Sequence, residues 1–382
     1  MKMQYAPIAL FTYNRADHTR QAVESLLKNA EAKHSDLFIF SDGPKNDKAK
    51  KGVEENREYI RSLKNENDLE ISQSRDTENA HSSVSLVNYH KENKFSQDNS
   101  SIPSDDSQSA SLRKEPSASD DATQSNTPSL NREGRGESFK SVTIIEREKN
   151  WGLANSLIAG ITEIVNKYGR VIVVEDDLIF SPYFLQFMND ALEKYKDEDR
   201  VASISAFLNP IDCKAPETFF LRYFACWGWA TWKRGWDILI NDDRVLLKRL
   251  RWKKNDFNIG GTGPFYGILY CDKIGLNDSW AVRFYASQFL AGKLQLFPGR
   301  TMAIQTGTDG SGTHGIKVQH TFDSMQLCME PIRLGDIAIE ENKEMYEAFA
   351  RFYAKGNTER GIKHICGAIK SFIRSLLGLD YK

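Results

Sequence analysis

Glu175, Asp176 and Asp177 form an unbroken run of carboxylates directly behind the apolar run Val171-Ile172-Val173-Val174. A β-branched run of this length reads as a buried strand, so the three acids fall where the strand emerges at the edge of its sheet. Carboxylates crowded in this way repel one another unless a cation or hydrogen-bond donors relieve them, which suits a hard divalent ion carrying a phosphate ligand. A solvated acidic turn would leave the same sequence. Four further positions carry comparable chemistry. Arg15 follows the first apolar stretch, and a guanidinium engages two oxygens of a diphosphate at once; it equally suits an exposed cation at a helix start. Asp42 stands in Ser41-Asp42-Gly43-Pro44, Asn150 opens Asn150-Trp151-Gly152-Leu153-Ala154, and Asp278 precedes Ser279-Trp280. Each of these three also reads as an ordinary turn or helix-cap residue.

The elements that must hold these groups alternate. Residues 8–13 are strand-like, and Asn14 or Asp17 is available to cap a helix whose buried stripe is Ala22, Val23, Leu26 and Leu27. Residues 37–40 make a second strand, followed by a helix with Val53, Tyr59, Ile60 and Leu63 on one side. A third strand over 142–145 leads to a helix bearing Leu157, Ile158, Ile161, Ile164, Val165 and Tyr168, closed by Gly169. The acidic strand comes next. This order predicts an α/β fold with a mostly parallel, Rossmann-like sheet, flanking helices and a ligand at the carboxyl ends of the strands.

From about 65 to 137 the pattern collapses into Ser, Asn, Asp, Gln and Lys, too poor in apolar side chains to offset the entropy of ordering. It reads as a disordered insertion in one large domain over 1–325, tolerable because loop-closure entropy grows slowly with length. Residues 326–382 read as a C-terminal helical tail. There Ile362, Ile365, Ile369, Phe372, Ile373, Leu376 and Leu377 recur at helical spacing beside Lys363, Lys370 and Arg374, a basic amphipathic helix over about 361–377 suited to docking on its own domain or on an anionic membrane.

With 51 Lys and Arg against 52 Asp and Glu, the formal net charge of -1 argues against a general nucleic-acid binder. The five cysteines are scattered without any CxxC spacing, which disfavours a disulfide framework and structural zinc. The opening residues lack a signal-peptide core, and no apolar stretch is long enough to span a bilayer. These features predict a cytoplasmic protein whose contact with the inner membrane is peripheral.

Taken together, several segments resemble the GT-A nucleotide-sugar transferases, and among them the bacterial glycosyltransferases similar to N-acetylglucosaminyltransferase I. They are Pro7-Ile8-Ala9-Leu10-Phe11-Thr12-Tyr13-Asn14-Arg15, Asn150 to Ala154, Val173-Val174-Glu175-Asp176-Asp177-Leu178 with its DXD-like acids, Asp278-Ser279-Trp280-Ala281-Val282-Arg283, and Asp309-Gly310-Ser311-Gly312-Thr313-His314. The resemblance spans most of the chain outside the insertion and the last fifty or so residues. It implies that Tyr13 and Arg15 line the nucleotide pocket, that Asp42 accepts the imide proton of a uracil ring, and that Asn150 and Ala154 lie against the nucleotide. Asp177 is then the ligand of Mn2+ or Mg2+, Asp176 a ribose contact and Glu175 a contact to the transferred sugar. Ser311 and His314 belong to a glycine-rich loop over the donor, and Asp278 is the base for the acceptor hydroxyl. The family pattern also allows an acid one place later, where this chain has Ser279.

The implied activity is a metal-dependent, inverting transfer of a sugar from a nucleotide-diphosphate donor, a UDP-sugar, to a glycan or lipid-linked acceptor in surface-polysaccharide synthesis. The aromatic run from Tyr223 to Trp236 suits either an acceptor site or core packing. Two other readings share the fold. A sugar-1-phosphate nucleotidyltransferase carries a Gly-rich basic loop after its first strand, where this chain has Tyr13-Asn14-Arg15-Ala16. A glycan-binding scaffold would keep the elements without the chemistry.

Overall fold

The computed structural model describes residues 4–64, 138–307 and 325–360, with side chains to residue 355. The insertion, Ser311, His314 and the amphipathic stretch over 361–377 lie outside the described residues. Contacts divide the chain into Ser72–Arg135 and a larger unit made of Met1–Ile71 and Gly136–Lys382, and the described residues all belong to the larger one.

Strand β1 (Ile8–Thr12) is buried along its whole length. It pairs in parallel with β2 (Asp36–Ser41) on one side and β4 (Arg170–Glu175) on the other, and β3 (Ser141–Glu146) lies beyond β2. Successive side chains of a strand point to opposite faces, so a strand covered by helices on both faces must be apolar throughout. Ile8 and Leu10 accordingly enter one core with Val23, Leu26 and Ile60 from helices α1 (Ala16–Leu27) and α2 (Asp47–Arg61). Ala9 and Phe11 enter a second core with Leu157, Ile161 and Ile164 from α3 (Leu153–Tyr168).

Beyond β4 the sheet continues in a way the sequence pattern does not reveal. Strands β5 (Leu178–Phe180) and β10 (Ala303–Gln305) form a small antiparallel pair of their own. The main sheet adds β6 (Val201–Ser205), β7 (Thr218–Leu221), β8 (Trp229–Trp232) and β9 (Leu294–Pro298), in the overall order β3-β2-β1-β4-β8-β6-β9-β7. Strands β8 and β7 run against the rest. The sheet is therefore mixed but mostly parallel, with helices on its faces, an α/β arrangement compatible with a Rossmann-like fold. The aromatic run builds this half: Tyr223, Phe224, Trp229, Trp232 and Trp236 pack in the interior.

The later helices are α4 (Phe184–Lys194), α5 (Lys233–Trp236), α6 (Asp243–Leu250), α7 (Lys254–Phe257), α8 (Phe265–Lys273), α9 (Trp280–Leu290) and α10 (Lys343–Arg360). Helix α10 buries Met345 and Phe349 in a cluster with Phe219 and Phe297, and Glu341 just before it receives the Arg222 guanidinium at 2.8 Å. The described part of the C-terminal region thus packs on the body. No helix of the described residues is long and apolar enough to cross a membrane.

Three helix starts differ from the sequence expectation. Neither Asn14 nor Asp17 caps α1; Arg15 holds the cap position without a side-chain cap bond, since a guanidinium has no acceptor to offer the first helical amides, and its donors turn to Asp176 and Asp177. Gly152, at φ +77°, is the cap of α3 in place of Asn150. Ser279 caps α9, its hydroxyl accepting from the Val282 amide at 3.3 Å, which leaves Asp278 outside the helix. The predicted end of α3 holds, with Gly169 in the left-handed region at φ +76°.

Close packing of α3 on the sheet depends on Gly160. A Cβ there would come within 2.8 Å of Phe11 and 3.0 Å of Phe40, whose rings stack at 4.9 Å between centroids. Gly160→Val is expected to lower stability by about 1–3 kcal/mol through overpacking. An unchanged melting temperature in that variant would contradict the close approach.

Candidate functional site

The chain runs from β1 outward to β2 and β3, then returns to the other side of β1 for β4. This reversal opens a crevice at the carboxyl ends of β1 and β4, the place where doubly wound sheets bind their ligands. Phe11 pairs with Glu175 at that end. Arg15, just past β1, therefore meets the acids that close β4: its Nη2 lies 2.5 Å from Asp176 Oδ1 and 3.0 Å from Asp177 Oδ2. The Tyr13 amide donates to the second oxygen of Asp176 at 3.3 Å, while the Tyr13 hydroxyl accepts from the Lys45 amide at 2.9 Å.

One guanidinium faces three carboxyl groups. Burial pushes Glu175 up to about 8, helped by the charges of Asp177 and Asp176 and opposed by Arg15. Burial likewise raises Asp176 to about 6, against the pull of Arg15. At neutral pH Glu175 is thus a neutral acid, able both to donate and to accept a hydrogen bond. Cys226 lies close to this group, and its thiol is raised first by burial and then by the Glu175 charge.

The strand pair β5–β10 brings a second segment over the acids. Thr306 donates to the Asp177 carbonyl through its amide at 2.8 Å and through its hydroxyl at 3.1 Å, and His18 Nδ1 lies 3.1 Å from the same hydroxyl. At Gly307 a Cβ would fall 2.6 Å from Asp177 Oδ2 and 3.1 Å from Arg15 Nη1, so a side chain there would have to displace the ends of the ion pair. Arg15 Nη1 itself is buried without a hydrogen-bond partner among the described residues. A donor left in this state costs free energy until an acceptor reaches it.

Two expected donor contacts are taken up inside the protein. Asp42 is buried, and its oxygens accept from the amides of Gly43 at 2.9 Å, Trp151 at 2.9 Å and Gly152 at 3.0 Å. Asp42 thereby orders the loop before α3. Asp176 is 5 % exposed with both oxygens bonded, and it fixes Arg15. Asn150 donates to the Gly43 carbonyl at 2.7 Å and joins the same loop junction, and Ala154 is buried in the second core. What the junction presents outward is Trp151, 47 % exposed, with the Arg147 guanidinium 3.6 Å from its ring centroid. The sequence marks Trp151 within its motif but gives no sign of Arg147, which reaches the ring from the far side of a turn.

At the start of α9, Trp280 stacks on Trp229 at 5.6 Å, and Trp229 pairs with Val173 of β4. Asp278 is more than half exposed and takes the Arg283 Nη2 at 2.7 Å. Arg283 is buried and also lies 3.8 Å from Asp272 and from Asp243. Asp272, which the sequence gives no reason to single out, accepts from the Ser279 amide at 3.0 Å and is pushed up to about 6 chiefly by burial. The accessible carboxylate here is Asp278, with Arg283 and Asp272 holding the turn that carries it.

Among the described residues no three His, Cys, Asp or Glu side chains are grouped to hold a metal ion. The acids beside Arg15 offer oxygen only, and the ion pair uses Oδ2 of Asp177, leaving Oδ1 outside it. Comparison of the sequence with protein-family models and with curated proteins finds no match in either.

The raised acids make a pH signature. Between the ordinary value of 4.5 and about 8 the folded chain keeps a proton on Glu175 that the unfolded chain has released. Stability therefore falls as pH rises through that window. Without added metal the melting temperature is expected to decline from about pH 5 to about pH 8, and Glu175→Gln to make that decline shallower. Superimposable profiles of variant and wild type would show that Glu175 titrates normally.

Proposed function

We propose that this chain is a metal-dependent, inverting glycosyltransferase of the GT-A type, moving a sugar from a nucleotide-diphosphate donor such as a UDP-sugar to a glycan or lipid-linked acceptor. The observation that carries the reading is the meeting of Arg15 with Glu175, Asp176 and Asp177 at the switch point of the sheet. Such a crevice suits a diphosphate, because a cation, an unpartnered donor and a carboxylate oxygen for a metal converge there.

In this reading Asp177 holds Mn2+ or Mg2+ through a carboxylate oxygen, and that ion supplies neutralisation of the charge developing on the diphosphate leaving group. Arg15 offers its unpartnered Nη1 to a phosphate oxygen, held in place by Asp176. Trp151 supplies a flat exposed face for the base, positioned by Asp42 and backed by Arg147. Glu175, protonated at neutral pH, can donate a hydrogen bond to a sugar hydroxyl. Asp278 takes the proton of the acceptor hydroxyl as that oxygen attacks the anomeric carbon. A cytoplasmic setting in surface-polysaccharide synthesis, next to the inner membrane, follows from such an acceptor.

A thermal-shift panel of UDP-, GDP- and dTDP-sugars with Mn2+ tests the proposal, since a ligand that binds only the folded state raises the melting temperature. At least one donor is expected to stabilise the wild type, and Asp177→Asn to lose the metal-dependent part of that shift. Asp278→Asn should keep the shift while slowing hydrolysis or transfer from the same donor by a factor on the order of 100 to 10,000. No stabilisation by any sugar nucleotide would overturn the reading, and stabilisation without any turnover would favour a glycan-binding scaffold.

A further inference from the structure

The segment from Arg244 to Lys254 holds six cations, Arg244, Lys248, Arg249, Arg251, Lys253 and Lys254, and no acid, in a chain whose net charge is -1. All six are exposed. None forms an ion pair with a carboxylate of the described residues, with Asp242, Asp243 and Asp256 flanking the segment. Elsewhere on the body exposed cations are scattered, and a number of them are paired, as Lys233 is with Asp237 at 2.7 Å and Arg61 with Glu146 at 2.6 Å. A concentration of unpaired like charge raises the local potential and selects for an anionic partner.

Apolar side chains stand among these charges. Trp252 is 84 % exposed, and with Val245, Lys248, Arg249 and Arg251 it lines an open groove of about 460 Å³. The Arg251 guanidinium lies 4.9 Å from the Trp252 ring. Helix α8, in contact with α6, bears the half-exposed Tyr270, and Ile274 and Leu276 follow it exposed. The outward face is fixed, because Leu246, Leu247 and Leu250 anchor α6 in the second core. A nucleic acid would be served by the cations and the indole alone, whereas exposed aliphatic groups gain only from leaving water for hydrocarbon.

We infer that the face formed by α6, the turn at Trp252 and the end of α8 docks on an anionic lipid bilayer, with Trp252 entering the headgroup boundary and the cations meeting lipid phosphates. Interfacial tryptophan and a basic rim are the combination that peripheral surfaces use. The inference does not depend on the sugar-transfer reading, and it concerns residues distinct from the amphipathic stretch near the carboxyl terminus.

The test uses the full chain and vesicles of phosphatidylcholine with or without phosphatidylglycerol. Wild type is expected to sediment with the anionic vesicles and not the neutral ones, and bromine-labelled lipid chains should quench part of its tryptophan fluorescence. The double variant Lys248→Glu/Arg249→Glu should lose binding by about tenfold or more. Trp252→Ser should remove the quenching and weaken binding several-fold, with both variants melting as wild type because the positions are exposed. Vesicle binding and quenching equal to wild type in both variants would overturn the inference, as would failure of wild type to bind anionic vesicles. Charge-dependent binding to an oligonucleotide with none to vesicles would overturn it in favour of a nucleic-acid surface.

Discussion

The ion pair between Arg15 and the two aspartates at the end of β4 is the constraint on which the site depends. Three carboxyl groups crowded at a strand end cannot all be ionised in a partly dry crevice with one guanidinium to answer them. The chain resolves the conflict locally by keeping a proton on Glu175 and by turning Arg15 inward from a position where a capping side chain would ordinarily sit. The parallel register of β1 with β4, Phe11 opposite Glu175, brings the two sequence segments together across the insertion and two intervening strands. Burial of alternate side chains of β1 in two separate cores holds that register.

Around this pair the other features act as positioning devices. Asp42 gathers three backbone donors and ties the end of β2 to the loop before α3, which turns Trp151 outward. Thr306 binds the Asp177 carbonyl, and Gly307 lies so close over the ion pair that a side chain there would displace its ends. On the far side, the stacked indoles of Trp229 and Trp280 fasten the start of α9 to β8, the strand paired with the one that carries the acids. The groups that the proposal assigns to donor, metal and acceptor are thus attached to rigid elements, the arrangement that a reaction between two bound partners requires.

The first half of the fold was legible because its signals are local. Apolar strand runs in residues 8–174 gave β1 to β4 to within a residue at each end, and helical stripes gave the helices between them though not their starts. The second half was not, because β7 and β8 are four-residue strands, β8 inside an aromatic run, where periodicity cannot distinguish strand from core helix, and their pairing is non-local. Side-chain contacts were not legible where a polar group turned inward. Asp42 and Asp176 share a sequence signature with exposed acids, and only the positions of distant amides and of Arg15 decide that their lone pairs are spent internally. Arg147, Asp272 and Arg283 carry no pattern of their own, since each matters only through a neighbour far along the chain or across a turn.

The central claim is that the β1–β4 crevice takes a metal-bound diphosphate beside Arg15, with Asp177 holding the metal. Calorimetric titration of UDP into the protein, with and without Mn2+, measures how far the two ligands depend on each other. The account predicts that wild type binds UDP more tightly with Mn2+ than without it, and that Asp177→Asn loses this metal dependence. Binding by the wild type that is unaffected by Mn2+, or no binding of UDP with Mn2+ at all, would contradict it.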